Sequence, residues 1–153
     1  MAAPSPAQRL AAFLAKFDPA TANTIREVRA ALRRRFPAAN ELVYDNYNFF
    51  VIGYCTSERP SDCMMSIAAS AKGVALSFYY GASLPDPRGL LQGGGNQNRV
   101  LRHDEGAATL LRPEVEELLQ AACDHAKTPL PESGGAKLII RSVSEKQRSR
   151  RVK

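Results

Sequence analysis

The sequence predicts an α+β fold: a mainly antiparallel sheet of about five strands, with an N-terminal helix pair and a C-terminal helix packed on it. Three observations carry this. Two helix-period stretches joined by Asp18-Pro19 come first, period-two alternation fills the middle, and one more helix-period stretch follows Pro113. Helical and strand patterns are therefore segregated along the chain, as they are when a helix layer covers an antiparallel sheet.

Ser5 and Pro6 supply an N-cap and a first helical position. Leu10, Phe13, Leu14 and Phe17 then recur at helical spacing and form one apolar stripe. Asp18-Pro19 ends that helix and repeats the start signal for a second. Ile25, Val28 and Leu32 line the second helix's buried face, Arg26, Arg29 and Arg33 share another, and Pro37 ends it. Residues 42–55 are rich in aromatic and β-branched side chains, and Asn46 to Asn48 offer a break between two strands. Cys63, Met65, Ile67 and Ala69 alternate with Met64, Ser66, Ala68 and Ser70, and Val74, Leu76, Phe78 and Tyr80 alternate with Ala75, Ser77 and Tyr79. Lys72-Gly73 lies between these runs, which makes a β-hairpin. Residues 84–88, with two prolines, must be irregular. Residues 99–103 have the composition of a further strand. After Pro113 a helix buries Val115, Leu118, Leu119 and Ala122. Residues 130–135 are a Pro/Gly/Ser linker, and residues 137–143 offer an edge strand.

The 153 residues suit one domain that can bury a core without disulfides or metal, and 44% hydrophobic with 24% charged residues is ordinary for a globular protein. No apolar run approaches the roughly 20 residues that span a bilayer. The small, Pro-rich N-terminus lacks the features of a secretory leader, so a cytoplasmic location is expected. Cys55, Cys63 and Cys123 sit among apolar or small residues and read as buried free thiols. The formal charge of +6 is concentrated at the end of the chain. Residues 145–153 hold five bases (Lys146, Arg148, Arg150, Arg151, Lys153) and one acid, and so supply four of the six net charges. The expected organisation is one domain over residues 1–144 and a basic, disordered tail over 145–153.

The stretches "ELVYDNYNFFVIGY", "SLPDPRGLLQGGGNQNRVLRH" and "LRPEVEELLQAA", in this order, resemble the YdhG-like family of small bacterial proteins, a family whose domain has no assigned function. The resemblance runs from about residue 18 to residue 126 and extends onto "LIIRSVSEKQR". It implies an α+β domain with an antiparallel sheet and brings no catalytic set with it. For one branch it implies a frataxin-like iron chaperone, which would hold iron on carboxylate oxygens. The first two helices carry only Asp18 and Glu27, and bases outnumber acids 21 to 15, so the sequence itself does not cluster such ligands.

The glycine-rich stretch before Arg99 invites a phosphate-binding reading, which its spacing rejects. A Walker loop requires Gly-Lys-Ser/Thr after four residues, and a dinucleotide loop would need glycine where Asn98 stands. Both also require a following helix, whereas Arg99 to His103 read as strand. A simpler anion site remains open at the turn Gly93, Gly94, Gly95 and Asn96, whose amides could form a nest beside Arg99 or Arg102. The alternative is a turn whose glycines only re-aim the chain. The aromatic-amide run around Tyr44, Asn46 and Asn48 could line a pocket for a small polar ligand, or its rings could be sheet core.

Metal-ligand spacings such as Cys-x-x-Cys are missing, and so is a Gly-x-Ser-x-Gly elbow. His103 could act as a general base, but Asp104 and Glu105 beside it alternate faces in a strand. The tail could touch nucleic acid electrostatically, yet it lacks interleaved aromatics for base stacking. The expectation is therefore a non-enzymatic module that binds a small ligand or a partner on a concave surface. That surface would combine Tyr44, Asn46 and Asn48 with Arg99, Arg102 or His103. Iron carriage, implied by the resemblance, and nucleic-acid association through Lys146, Arg148, Arg150, Arg151 and Lys153 are the alternatives. No cofactor other than that iron is expected.

Overall fold

The computed structural model describes residues 2–102, 106–134 and 136–152. Helix α1 (Pro6–Leu14) starts in a capping box: the Gln8 amide donates to Ser5 Oγ, and the Ser5 amide donates to Gln8 Oε1. Helix α2 (Pro19–Arg35) follows after one turn and stops before Pro37. Strands β1 (Asn40–Asp45) and β2 (Phe50–Cys55) form one hairpin, and β3 (Cys63–Ser70) and β4 (Gly73–Phe78) form another. Strand β5 (Arg99–Arg102), a 3-10 stretch (Gly106–Leu111), helix α3 (Pro113–His125) and strand β6 (Leu138–Val143) complete the chain.

The fold is α+β, as the segregated patterns imply. Its sheet has six strands in the order β5-β4-β3-β2-β1-β6. All neighbours are antiparallel except β6, which runs parallel to β1. The parallel edge follows from the route of the chain: α3 and the linker carry it across the sheet, and β6 enters from the same end as β1. Two hydrogen bonds fix that entry, Lys137 N to Asn40 Oδ1 and Glu41 N to Lys137 O.

Alternation gives the sheet one covered face. Phe50, Ile52 and Tyr54 of β2, Met65, Ile67 and Ala69 of β3, and Leu76 and Phe78 of β4 are buried with Ile25, Val28 and Leu32 of α2 and with Val115, Leu118 and Leu119 of α3. Glu41 of β1 is buried among them, and α2 neutralises it. Arg29 forks onto both its carboxylate oxygens at 2.9 Å, and Tyr54 Oη donates to Oε2 at 2.9 Å. Burial and the adjacent Glu41 charge push the Tyr54 phenol well above its ordinary value, so it keeps the proton it donates. A second, smaller buried cluster, Leu42 with Cys55 and Cys63 and with Tyr44 packed on it, lies on the opposite face of the sheet.

The basic segment does not hang free where it is described. Arg150 is 3% exposed and its Nη2 donates to Asp45 Oδ1, in the body of the domain. Composition marks residues 145–153 as a solvated tail. The described part of it is instead laid against the end of the sheet.

Candidate functional site

Asp45 closes β1 and is itself buried, and three side chains from distant parts of the sequence meet it. Lys16, just past α1, donates to Oδ2. Arg150 Nη2 reaches Oδ1 at 2.8 Å and the Asn46 carbonyl at 2.6 Å. Gln147 Nε2 donates to the Asp45 carbonyl at 2.8 Å. Burial alone would raise the Asp45 carboxyl. The hydrogen bonds from Lys16, Arg150 and Gln147 outweigh it and hold the group below its ordinary value. The effect is to pin the C-terminal segment beneath the β1–β2 turn.

Past that anchor, the segment and the turn build a surface together. Arg148 N donates to the Tyr47 carbonyl and Arg148 Nε to Asn48 Oδ1, both at 2.9 Å, while its guanidinium lies 5.5 Å from the centre of the Tyr47 ring. Arg151 donates Nε and Nη2 to the Lys16 and Ala15 carbonyls at the end of α1. Val152 N donates to Asp18 Oδ2, and Asp18 makes no side-chain cap on α2. The β3–β4 turn approaches from the other side. A groove of about 610 Å³ results, lined by Asn48, Phe49, Lys72, Arg148, Arg151 and Val152 among others. Phe49 is 51% exposed and Tyr47 48%. Among the described residues, Lys72, Arg148 and Arg151 form no ion pair with a carboxylate. The groove thus offers the Phe49 ring and three cations that pair with no carboxylate among the described residues, and the Tyr47 ring stands beside it against Arg148.

Among the described residues, the concave surface expected from Tyr44, Asn46, Asn48, Arg99, Arg102 and His103 is not assembled. β1 and β5 are separated by β2, β3 and β4, so its two halves stand apart across the width of the sheet. Tyr44 sits with the small Cys55/Cys63 cluster. Asn46 Oδ1 accepts from Ser142 Oγ at 2.8 Å and so ties the turn to β6. Arg99 Nη1 donates to the Gly95 and Asn98 carbonyls at 2.7 and 2.8 Å, so the arginine braces its own loop. Gly93 has a φ of +130°, while Gly94 and Gly95 have open space around them. Asn96 belongs to the same exposed loop. Arg102 is placed by its strand register opposite Ala75, and His103 lies outside the described residues.

One correction applies to the basic residues. Arg150, expected among the nucleic-acid contacts, is buried against Asp45 and cannot serve as one. Residues 145–153 hold no aromatic of their own, and Arg148 lies against Tyr47 of the β1–β2 turn, about a hundred residues away in sequence. Lys146 is exposed, and Lys153 lies outside the described residues. Among the described residues no three His, Cys, Asp or Glu side chains come together as a metal-binding group, and no helix is long and apolar enough to cross a membrane. Comparison with known proteins returns no matching family model, no matching curated protein and no matching solved structure.

Proposed function

We propose that this chain is a non-enzymatic binding module, a YdhG-like protein by the order of its motifs, and that its ligand is a nucleic-acid single strand seated in the groove between the two hairpin turns and the C-terminal segment. One juxtaposition carries the reading: the exposed Phe49 ring lines the groove with Lys72, Arg148 and Arg151, and Arg148 in turn lies over the exposed Tyr47 ring. A strand of nucleotides presents phosphates at regular intervals and π-faces between them. Cations along the groove and the half-exposed Phe49 ring within it match both features. Arg148 serves both needs, since its guanidinium plane already lies by Tyr47 and extends that ring as a stacking platform. Recognition of this type tolerates any sequence, because every base has a face to stack.

The test is a fluorescence-anisotropy titration of labelled oligothymidine at several salt concentrations. Three phosphate contacts give a log-log salt slope of about −2 on a single strand. Phe49→Ala is expected to weaken binding by about 1–3 kcal/mol, the range for one stacked base. Lys72→Glu is expected to make the slope shallower. A mononucleotide arm separates the two sources of the same chemistry: affinity equal to that of the oligomer would identify a free nucleotide as the ligand. Binding that ignores salt, or that both substitutions leave intact, contradicts the proposal.

A further inference from the structure

The second buried cluster contains chemistry that the groove does not use. β2 and β3 pair regularly from Phe50↔Ala69 to Tyr54↔Met65, and a regular ladder would then set Cys55 opposite Met64. It does not. An extra residue in β3 shifts the register between Tyr54 and Cys55, and Cys55 faces Cys63. Directly opposed residues of antiparallel strands have Cα atoms about 4.5–5.5 Å apart. That spacing falls within the roughly 4.4–6.8 Å range of disulfide-bonded cysteines. Both cysteines are free, at 1% and 8% exposure, on the sheet face that the helices leave uncovered.

The surroundings favour one thiol as the reactive partner. Cys63 Sγ lies 3.3 Å from Ser66 Oγ, and the absence of a side chain at Gly53 leaves room above it, since a Cβ there would sit 3.3 Å from the sulfur. The neighbouring Cys55 thiol, the Ser66 hydroxyl and the Tyr54 backbone lower the Cys63 thiol against the upward effect of its burial, whereas Cys63 and burial raise Cys55; as a thiol, Cys63 donates to the Met65 carbonyl at 3.4 Å. Tyr44 packs against the pair.

We propose that Cys55 and Cys63 are a peroxide-oxidisable dithiol, with Cys63 the attacking sulfur and Cys55 the resolving one. The Cys63 thiolate attacks a peroxide oxygen. An S–O bond forms, the O–O bond breaks, and the departing hydroxide takes up the proton lost from Cys63 to become water. Cys55 then attacks the Cys63 sulfenic sulfur. The S–S bond forms, the S–O bond breaks, and the second hydroxide leaves as water with the Cys55 proton. The two thiols lose two electrons and two protons, and hydrogen peroxide is reduced to two waters. Hydrogen peroxide is small enough to reach a sulfur that is only 8% exposed.

The test is intact mass spectrometry of the folded, reduced full chain after treatment with excess hydrogen peroxide, followed by alkylation and peptide mapping. The expected product is lighter by two hydrogens, retains one alkylatable thiol, carries a Cys55–Cys63 cross-linked peptide and reverts with dithiothreitol. Cys55→Ser should stop at a sulfenic acid on Cys63 that a dimedone-type reagent captures, and Cys123→Ser should bridge as the wild type does. Three alkylatable thiols after peroxide, or a cross-link through Cys123, overturns the proposal. The wild-type arm decides this even where a serine variant fails to fold.

Discussion

Asp45 and Arg150 are 105 residues apart and almost wholly buried against each other, and Asp45, which Lys16 also neutralises, is the one carboxylate that pairs with Arg150 among the described residues. Arg150 Nε and Nη1 have no hydrogen-bond partner among the described protein atoms, so its interaction is concentrated in Nη2, shared between Asp45 and the Asn46 carbonyl. Arg150→Ala removes one of the two cations on Asp45 and leaves Lys16 in place, so it should cost about 1–3 kcal/mol, the range for an unsatisfied buried polar group, and not the larger loss of a pair left with no partner. Urea titrations measure this, and a loss below about 0.5 kcal/mol, the size of an ordinary surface substitution, would count against the buried pair. The pH response has a definite sign. Asp45 is held below its ordinary value of 3.8 in the folded chain, so its contribution is complete above that value and fades as pH falls through the lowered one. Asp45→Asn should remove this part of the acid sensitivity, seen as a flatter dependence of stability on pH below about 4. None of this was legible from composition. Five bases in nine residues look equally solvated on paper, and only the fold singles out one of them by placing a buried carboxylate opposite it.

At the scale of elements, patterning reads well where local physics decides the outcome. The Ser5-Pro6 start, the Asp18-Pro19 junction, the Lys72-Gly73 hairpin and the Pro113 helix all lie where their caps, turns and periods put them. The residues around Gly93 to Arg99 read as a turn feeding a strand, and that strand is β5. Three features escaped because they depend on partners distant in sequence. The direction of β6 is set by the route of the linker, and the bulge that aligns Cys55 with Cys63 appears only in the register. The third is the contact of β5 with the 3-10 turn Gly81–Ser83. A methyl on Gly81 would stand 2.4 Å from Arg99 Cβ and 3.0 Å from Arg99 N, and the backbone atom cannot swing away. Gly81→Ala should therefore displace β5 and cost about 1–3 kcal/mol, measurable by thermal or chemical unfolding. A neutral substitution would show that β5 is not held by this contact.

For the whole molecule, the sheet carries its helices on one side and leaves the hairpin turns and the C-terminal segment to shape the far end. Sequence reasoning recognised the ingredients separately: an aromatic-amide run, a lysine turn and a basic end. It could not bring them together, since the groove draws on residues near 48, near 71 and near 150. It paired Asn46 and Asn48 with Arg99, but sheet order separates those strands, and the cations that do reach the turn are Arg148 and Arg150. Because the groove depends on the Asp45–Arg150 anchor, loss of that anchor should weaken ligand binding along with stability. The most direct measurement of the central claim is an amide chemical-shift map of the full chain titrated with oligothymidine. The account predicts shifts concentrated at residues 47–49, 70–72 and 148–152. Shifts centred instead on residues 93–99, or no shifts at saturating oligonucleotide, would contradict it.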